Sequence, residues 1–252
     1  MSSEKSLEGR IALVTGASRG IGRAAAARLA EAGARVIVHY SASKAAADEL
    51  AAEIRAKGGQ ADVVGADLGA ADGAHKLAEA VKALGITKLD VLVNNAGVGK
   101  FHPIEEQTVE DFDWHFAVNV RAPYFLTQQL LPLLGEGSSV IFLSSVVARV
   151  AFDGSSAYSS TKGAVEVITR NFAKELGPRG IRVNAIAPGA IDTDMAQDFL
   201  GTEESREYVK GIQALKRIGQ PDDIADAVLF LASDQSRWVD GRSLEVSGGS
   251  NL

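Results

Sequence analysis

The chain contains no cysteine, which removes disulfides, thiolate metal sites and a cysteine nucleophile together and fits a reducing compartment. It also has no block of like charge. Its 26 basic and 32 acidic residues are interspersed and leave a net charge of -6, so neither nucleic acid nor an anionic membrane is the expected partner. No run approaches the roughly 20 apolar residues of a membrane span. The start, MSSEKSLEGR, lacks the apolar segment of a secretory signal, and the expected location is the cytoplasm. The histidines at 39, 75, 102 and 115 form no ligand spacing such as H-E-x-x-H, so no metal is expected and all four read as surface or loop residues. No G-x-S-x-G elbow occurs, which disfavours a serine hydrolase.

What remains is the composition of a soluble globular protein: 252 residues, 46% hydrophobic and 23% charged. A chain of this length buries about three quarters of its unfolded surface without staples. Seven short apolar runs, RIALVTG, RVIVHY, ADVVGAD, LDVLVNNAG, SSVIFLSS, IRVNAIAPG and RSLEVSGG, alternate with amphipathic stretches. Their interiors are apolar at successive positions, as strands require when helices cover both faces of a parallel sheet. Between them, Ala47, Leu50, Ala51 and Ile54 share one helical face, as do Leu77, Val81 and Leu84. No repeat or linker interrupts the pattern. The expected fold is therefore one doubly wound, Rossmann-type α/β domain over 1–252, with a parallel sheet of about seven strands, helices on both faces and one longer connection at 190–215.

Ligands of such sheets collect at the carboxyl ends of the strands. After the first run comes Thr15-Gly16-Ala17-Ser18-Arg19-Gly20-Ile21-Gly22, leading into a helix with Ile21, Ala25 and Leu29 on one side. Glycines there let backbone amides approach a phosphate, and the helix start favours the anion. The spacing is neither G-x-G-x-x-G nor a Walker loop. In SSAYSSTKGAVEVI, Tyr158 and Lys162 lie on the same helical stripe as Val165, Thr169, Phe172 and Leu176. That stripe should be buried, but its first turn should project past the sheet into the crevice of the glycine loop. Ser145 ends the fifth run and should reach the same edge. A phenol ordinarily ionises near pH 10. An ammonium one turn away and the helix-start dipoles are expected to lower it, leaving Tyr158 to move a proton while Ser145 holds a substrate oxygen.

Together, Thr-Gly-x-x-x-Gly-x-Gly at 15–22, Asn94-Asn95-Ala96-Gly97, Ser145, Tyr158-x-x-x-Lys162 and Pro188-Gly189 resemble the short-chain dehydrogenase/reductases over almost the whole chain. The resemblance implies hydride transfer between a nicotinamide and a carbonyl or alcohol carbon. Tyr158 would be the general acid, Ser145 the carbonyl-polarising group, and Lys162 the ribose-binding residue that tunes Tyr158. Asn119 would hold a water that relays protons to Lys162. It also implies adenine contacts at Asp67 and Leu68, ribose contacts from Asn94 to Gly97, and a nicotinamide and diphosphate segment at Pro188, Gly189, Ile191 and Thr193.

The family's NAD-preferring members carry Asp where this chain has Tyr40 and Ser41, and a 2′-phosphate needs a cation. Arg19 is placed to supply one, with Lys44 assisting, so NADP(H) is the expected cofactor and NAD(H) the alternative. Val147, Ala148, Phe152 and Met195 suggest an apolar substrate pocket, and 190–215 a lid over it. The general likeness is to 3-oxoacyl-acyl-carrier-protein reductases and related ketone reductases. LLPLLGEGSS, however, lacks the basic residue those enzymes usually present to an acidic carrier, although Arg179 keeps a second such position. Helices at 108–134 and 157–177 and the tail RSLEVSGGSNL resemble the family's subunit contacts, which implies a homotetramer. Two other functions share the fold: a cofactor-independent lyase resembling halohydrin dehalogenases, and a non-catalytic cofactor-binding protein. The lyase would be expected to lose the glycine loop and the lysine, and intact Ser145, Tyr158 and Lys162 argue against the second.

Overall fold

Each of the seven apolar runs forms a strand in the computed structural model, which describes residues 6–250 apart from the Asp198 side chain. The first five residues of the amino-terminal stretch and the last two of the tail read above lie outside the described residues. The strands are β1 (Ile11–Val14), β2 (Arg35–Tyr40), β3 (Gln60–Gly65), β4 (Val91–Asn94), β5 (Ser139–Leu143), β6 (Arg182–Pro188) and β7 (Ser243–Val246). All pair in parallel, in the order β3-β2-β1-β4-β5-β6-β7. Central β4 and β5 are buried at every position, which is why their sequences show continuous apolar runs and no alternation.

Helices close both faces. On one side α1 (Gly20–Glu31), α2 (Lys44–Ala56) and α9 (Pro221–Ala232) bury Ala25, Leu29, Leu50, Ile54 and Val228 against the sheet. On the other, α3 (Gly73–Lys82), α5 (Ala122–Leu130) and α6 (Ser156–Leu176) bury Leu77, Val81, Leu126, Val165 and Phe172. Leu84, past the end of α3, is only partly covered. No helix among the described residues is long and apolar enough to cross a membrane. The chain winds outward from β1 to β3 and then returns to place β4 beside β1. The carboxyl ends of β1 and β4 therefore flank the topological switch point, where a crevice opens.

Two segments depart from expectation. The stretch at 108–134 is not one helix: α4 (Val109–Phe116) passes through a π-helical turn at Ala117–Arg121 before α5 begins. Pro123 has no N–H to give the carbonyl of Asn119, its partner four residues back in a regular helix, so the ladder widens there. Nor is 190–215 an open loop. It contains α7 (Gln197–Leu200) and α8 (Glu203–Ile212), the latter started by a reciprocal Thr202–Ser205 capping box. Leu200 and Val209 of these helices pack with Ala196 before them and Ile218 beyond the segment in a small separate core, and the half-buried Arg206 clamps Asp192 through both guanidinium ends at 2.9–3.2 Å.

Candidate active site

The first turn of the crevice is shaped by glycines that admit nothing larger. Gly16 and Gly20 have φ of +63° and +55°. A Cβ on Gly22 would stand 2.4 Å from both the Gly16 carbonyl and the Asn95 amide. Thr15 joins the turn to the end of β4, its hydroxyl accepting from the amides of Asn95 (3.0 Å) and Ala96 (2.9 Å). Arg19, at the N-cap of α1, makes no side-chain capping bond, and the first turn holds no acidic residue. The amides of that turn thus have no side-chain cap competing with an anion, and the cradle fits the diphosphate of a dinucleotide.

His39 holds this turn from behind, contrary to the expectation that the histidines are surface residues. It is 1% exposed; its Nδ1 accepts from the Gly16 amide at 3.1 Å and its Nε2 faces the Ala66 carbonyl at 3.1 Å. Burial lowers its pKa to about 4, so the folded protein keeps the ring neutral, with Nδ1 free to accept. Because the folded pKa lies below the unfolded value, stability is complete above pH 6.5 and falls as pH drops from there toward 4. Wild type should lose about 2 kcal/mol by pH 5 relative to His39→Gln in urea unfolding; parallel losses would remove His39 as the cause. His115 is also buried, its Nε2 accepting from the Lys100 amide at 2.9 Å.

The predicted stripe of α6 is buried at Lys162, Val165, Thr169, Phe172 and Leu176, while Tyr158 in the first turn faces the cleft. The Phe101 ring packs edge-on against Tyr158 at 5.5 Å, and the Lys162 ammonium lies 5.3 Å from the phenol ring centre. Lys162 is 5% exposed, and Nζ donates to the Leu143 carbonyl at 2.8 Å. Burial lowers its pKa to about 8. The phenol moves opposite to expectation: burial pushes it up to about 12, against the opposing pull of a hydrogen bond from Ser145. The ammonium faces the ring of Tyr158 and spends its hydrogen bond on a carbonyl, so desolvation outweighs it.

Asn119, 2% exposed, sits on the π-helical turn. Its carboxamide accepts from the Val98 amide (2.9 Å) and donates to the Val98 carbonyl (2.9 Å) and the Thr161 hydroxyl (3.1 Å). A Cβ on Gly97 would lie 3.4 Å from Asn119 Oδ1 and 3.7 Å from Lys162 Nζ, so both groups face one point beside Gly97. Pro123 was the sequence signal for this break in the helix.

A cleft of about 500 Å³ gathers much of the expected set: Ser145, Tyr158 and Lys162 with Ile21, Gly97, Pro188, Gly189, Ile191 and Thr193. Val147, Phe152 and Met195 border it as expected, whereas Ala148, on the short helix after Ser145, does not. Gly16, Ser18, Gly20, Gly22 and Ala96 form the glycine turn and its β4 neighbour outside this cleft. Tyr40 lies over Gly65, within 2.7 Å of where a Cβ would stand, and Ser41 is exposed beside it. Asp67 is exposed and accepts from the Gly69 amide. Leu68 instead buries its side chain in the core. Asn94 is buried as well, donating to Thr127 away from the cleft, because as the last residue of β4 it points into the helix layer. Its neighbour Asn95 lines the cleft and donates to the Thr15 carbonyl at 2.7 Å. Sequence reasoning also passed over Phe101, Phe199, Tyr208 and Gln213, which complete the walls.

The family described as Enoyl-(Acyl carrier protein) reductase matches residues 16–251. An uncharacterized oxidoreductase of Methylorubrum extorquens is 47% identical over 245 residues, covering 96% of this chain and 98% of the relative. Versicolorin reductase 1 of Aspergillus parasiticus is 39% identical over 267 residues, covering 99% of each. The solved structure of the angucycline C-6 ketoreductase LanV with bound NADP superposes with a TM-score of 0.93 at 43% identity, covering 98% of this chain and 97% of that one. With the glycine turn at the switch point and Ser145, Tyr158 and Lys162 in one cleft, the chain belongs to the short-chain dehydrogenase/reductase family and is an oxidoreductase acting on CH–OH and C=O groups.

Proposed function

We propose that the enzyme is an NADP(H)-dependent reductase of apolar, ring-bearing ketones in which Tyr158 gives the proton. The observation that carries this reading is the convergence of Ile21, from the glycine turn, with Ser145, Tyr158 and Lys162 on one cleft. The dinucleotide supplies the hydride when bound. The uncapped amides at the start of α1 would hold its diphosphate, and Pro188 to Thr193 would meet the nicotinamide end. Ser145 donates a hydrogen bond to the ketone oxygen, and Tyr158, protonated throughout the neutral range at a pKa of about 12, delivers its proton to that oxygen. As negative charge appears on the phenolate, the nearby Lys162 ammonium steadies it. Asn119, whose carbonyl has lost its helical donor to Pro123, holds the water that returns a proton to Lys162.

The aromatic walls, Phe101, Phe152, Phe199 and Tyr208, suit a flat apolar substrate. The helices α7 and α8 of the 190–215 segment cover it as a lid, while the ends of the segment stay tied through Ile191 to Gly219 and through Gln213 to Ser250. The exposed apolar side chains on α4, α5 and α6, among them Phe112, Phe125 and Val167, support homotetramer contacts. Following NADPH consumption with a panel of ring ketones tests the activity; consumption with none of them would overturn the ring-ketone reading.

Cofactor choice follows from charge. β2 ends in Tyr40 and Ser41 with no carboxylate. Among the described residues the exposed Arg19 is held only by a 3.4 Å contact to exposed Asp194, a pair worth little in water. Lys44 is paired with Asp48 at 2.7 Å and plays a lesser part. Arg19→Ala should weaken NADPH binding by roughly 10- to 100-fold, the range of a lost charge-assisted hydrogen bond, and change NADH by less than about threefold. Equal losses in fluorescence titrations would assign Arg19 no part in selecting the 2′-phosphate.

A further inference from the structure

Gln213 presents an unsatisfied carboxamide to the cleft. It follows α8 on a wall separate from the turn after β5, which carries Ser145, and from α6, which carries Tyr158, and it borders the same cleft. The residue is 1% exposed, yet neither Oε1 nor Nε2 has a hydrogen-bond partner among the described residues. Its backbone is fixed: Gln213 bridges Ser250 in antiparallel fashion, and the next two amides, of Ala214 and Leu215, donate to the Gly249 and Gly248 carbonyls at 3.0 Å each. Gly248 flanks the carboxamide: a Cβ there would lie 3.8 Å from Oε1, in ordinary van der Waals contact. Tyr208, Val209 and Ile212 are its neighbours along the wall, and the two serines there, Ser205 and Ser250, donate their hydroxyls to the Thr202 and Ser247 carbonyls.

A buried carboxamide with both its donor and its acceptor unused is costly in the free protein. That cost is recovered by a ligand group offering a donor and an acceptor at one point, which a hydroxyl does. An apolar wall would accept the same ring with or without the hydroxyl; a buried carboxamide discriminates against the ring that lacks it. We infer that Gln213 is the specificity-determining residue of the substrate pocket, recognising a hydroxyl on a ring-bearing ketone at a position away from the carbonyl that is reduced. This inference rests on the proposed ketone reductase activity and adds the substrate's second polar group.

The test compares tetralone with each of its monohydroxylated ring isomers in wild type and in Gln213→Met, which keeps the side chain's length and removes both polar atoms. At least one hydroxylated isomer should exceed plain tetralone in kcat/KM by roughly 10- to 100-fold in wild type, mainly through KM. In Gln213→Met the ratio should fall to within about twofold of unity, and Gln213→Glu, which offers both a donor and an acceptor when protonated, should recover part of it. Wild-type ratios all within about threefold of unity, or a preference that survives in Gln213→Met, would overturn the inference. Calorimetric binding of tetralone and the same hydroxytetralones in the presence of NADP+ keeps the two readings apart. Hydroxyl-dependent binding lost in Gln213→Met without turnover by any variant sinks the reductase reading and upholds Gln213. Turnover without hydroxyl dependence does the reverse, and absence of both turnover and hydroxyl-dependent binding overturns both.

Discussion

Tyr158→Phe is expected to lower kcat for ketone reduction by at least about a thousandfold, toward the upper end of what a positioned general acid contributes, with NADPH affinity changed by less than about threefold. The substitution removes one oxygen and leaves the ring in its contacts with Phe101 and the Lys162 ammonium. The group that acts on the lost oxygen is the Ser145 hydroxyl, which is half-buried and accepts from the Val147 amide. Unfolding stability should therefore move by less than about 1 kcal/mol, the size of one hydrogen bond. A separation of this kind, large in turnover and small in binding and folding, assigns the proton to Tyr158. Unchanged turnover would take it away.

Lys162→Met should affect activity and stability in opposite directions. Turnover should fall about 100-fold or more, because no ammonium remains to steady the phenolate. Stability at neutral pH should rise. A pKa lowered from 10.5 to about 8 means that the fold disfavours the charged lysine by about 3 kcal/mol relative to the neutral amine. The ammonium's single hydrogen bond among the described residues, to the Leu143 carbonyl, offsets only part of its desolvation. Methionine fills much the same space without charge, so a gain of about 1–3 kcal/mol is expected. The sign carries a pH signature. With the folded pKa below the unfolded one, the unfolded chain binds more protons between about 8 and 10.5, and wild type gains stability as pH rises through that window. The advantage of Lys162→Met should narrow by about 2 kcal/mol between neutral pH and pH 9.5, below the range where Tyr158 titrates. A destabilised variant, or a gap that does not narrow, would show that the buried ammonium is better compensated than its single hydrogen bond implies.

The order of elements and the place of the candidate cleft were legible in the sequence for a physical reason. Strands buried on both faces leave continuous apolar runs, and a doubly wound sheet delivers whatever follows those runs to one rim, so Ser145, Tyr158 and the glycine turn could be placed together before any coordinates. What could not be read depends on burial and side-chain direction. His39 and His115 look like isolated polar residues in the sequence, and only the packed fold shows each satisfied by a backbone amide. The shift of Tyr158 was assigned to a neighbouring charge, a local property of the helix, but desolvation, which depends on every element around the ring, is larger. Asn94 and Asn95 are indistinguishable as letters, yet one faces Thr127 and the other the cleft. The π-helical turn was hidden because apolar periodicity runs straight through it, although Pro123 marked the place. Gln213 gave no signal, since an isolated glutamine after a helix is ordinarily a solvated one.

Mass spectrometry of the alcohol formed from a ring ketone and NADPH deuterated at the transferring carbon reads the proposed chemistry most directly. The glycine turn and Tyr158 acting on one cleft should put a single deuterium on the carbinol carbon in wild type, with Tyr158→Phe forming almost none of that product. Deuterated cofactor left unconsumed by every ketone offered, or an alcohol whose new hydrogen comes from water, would contradict it.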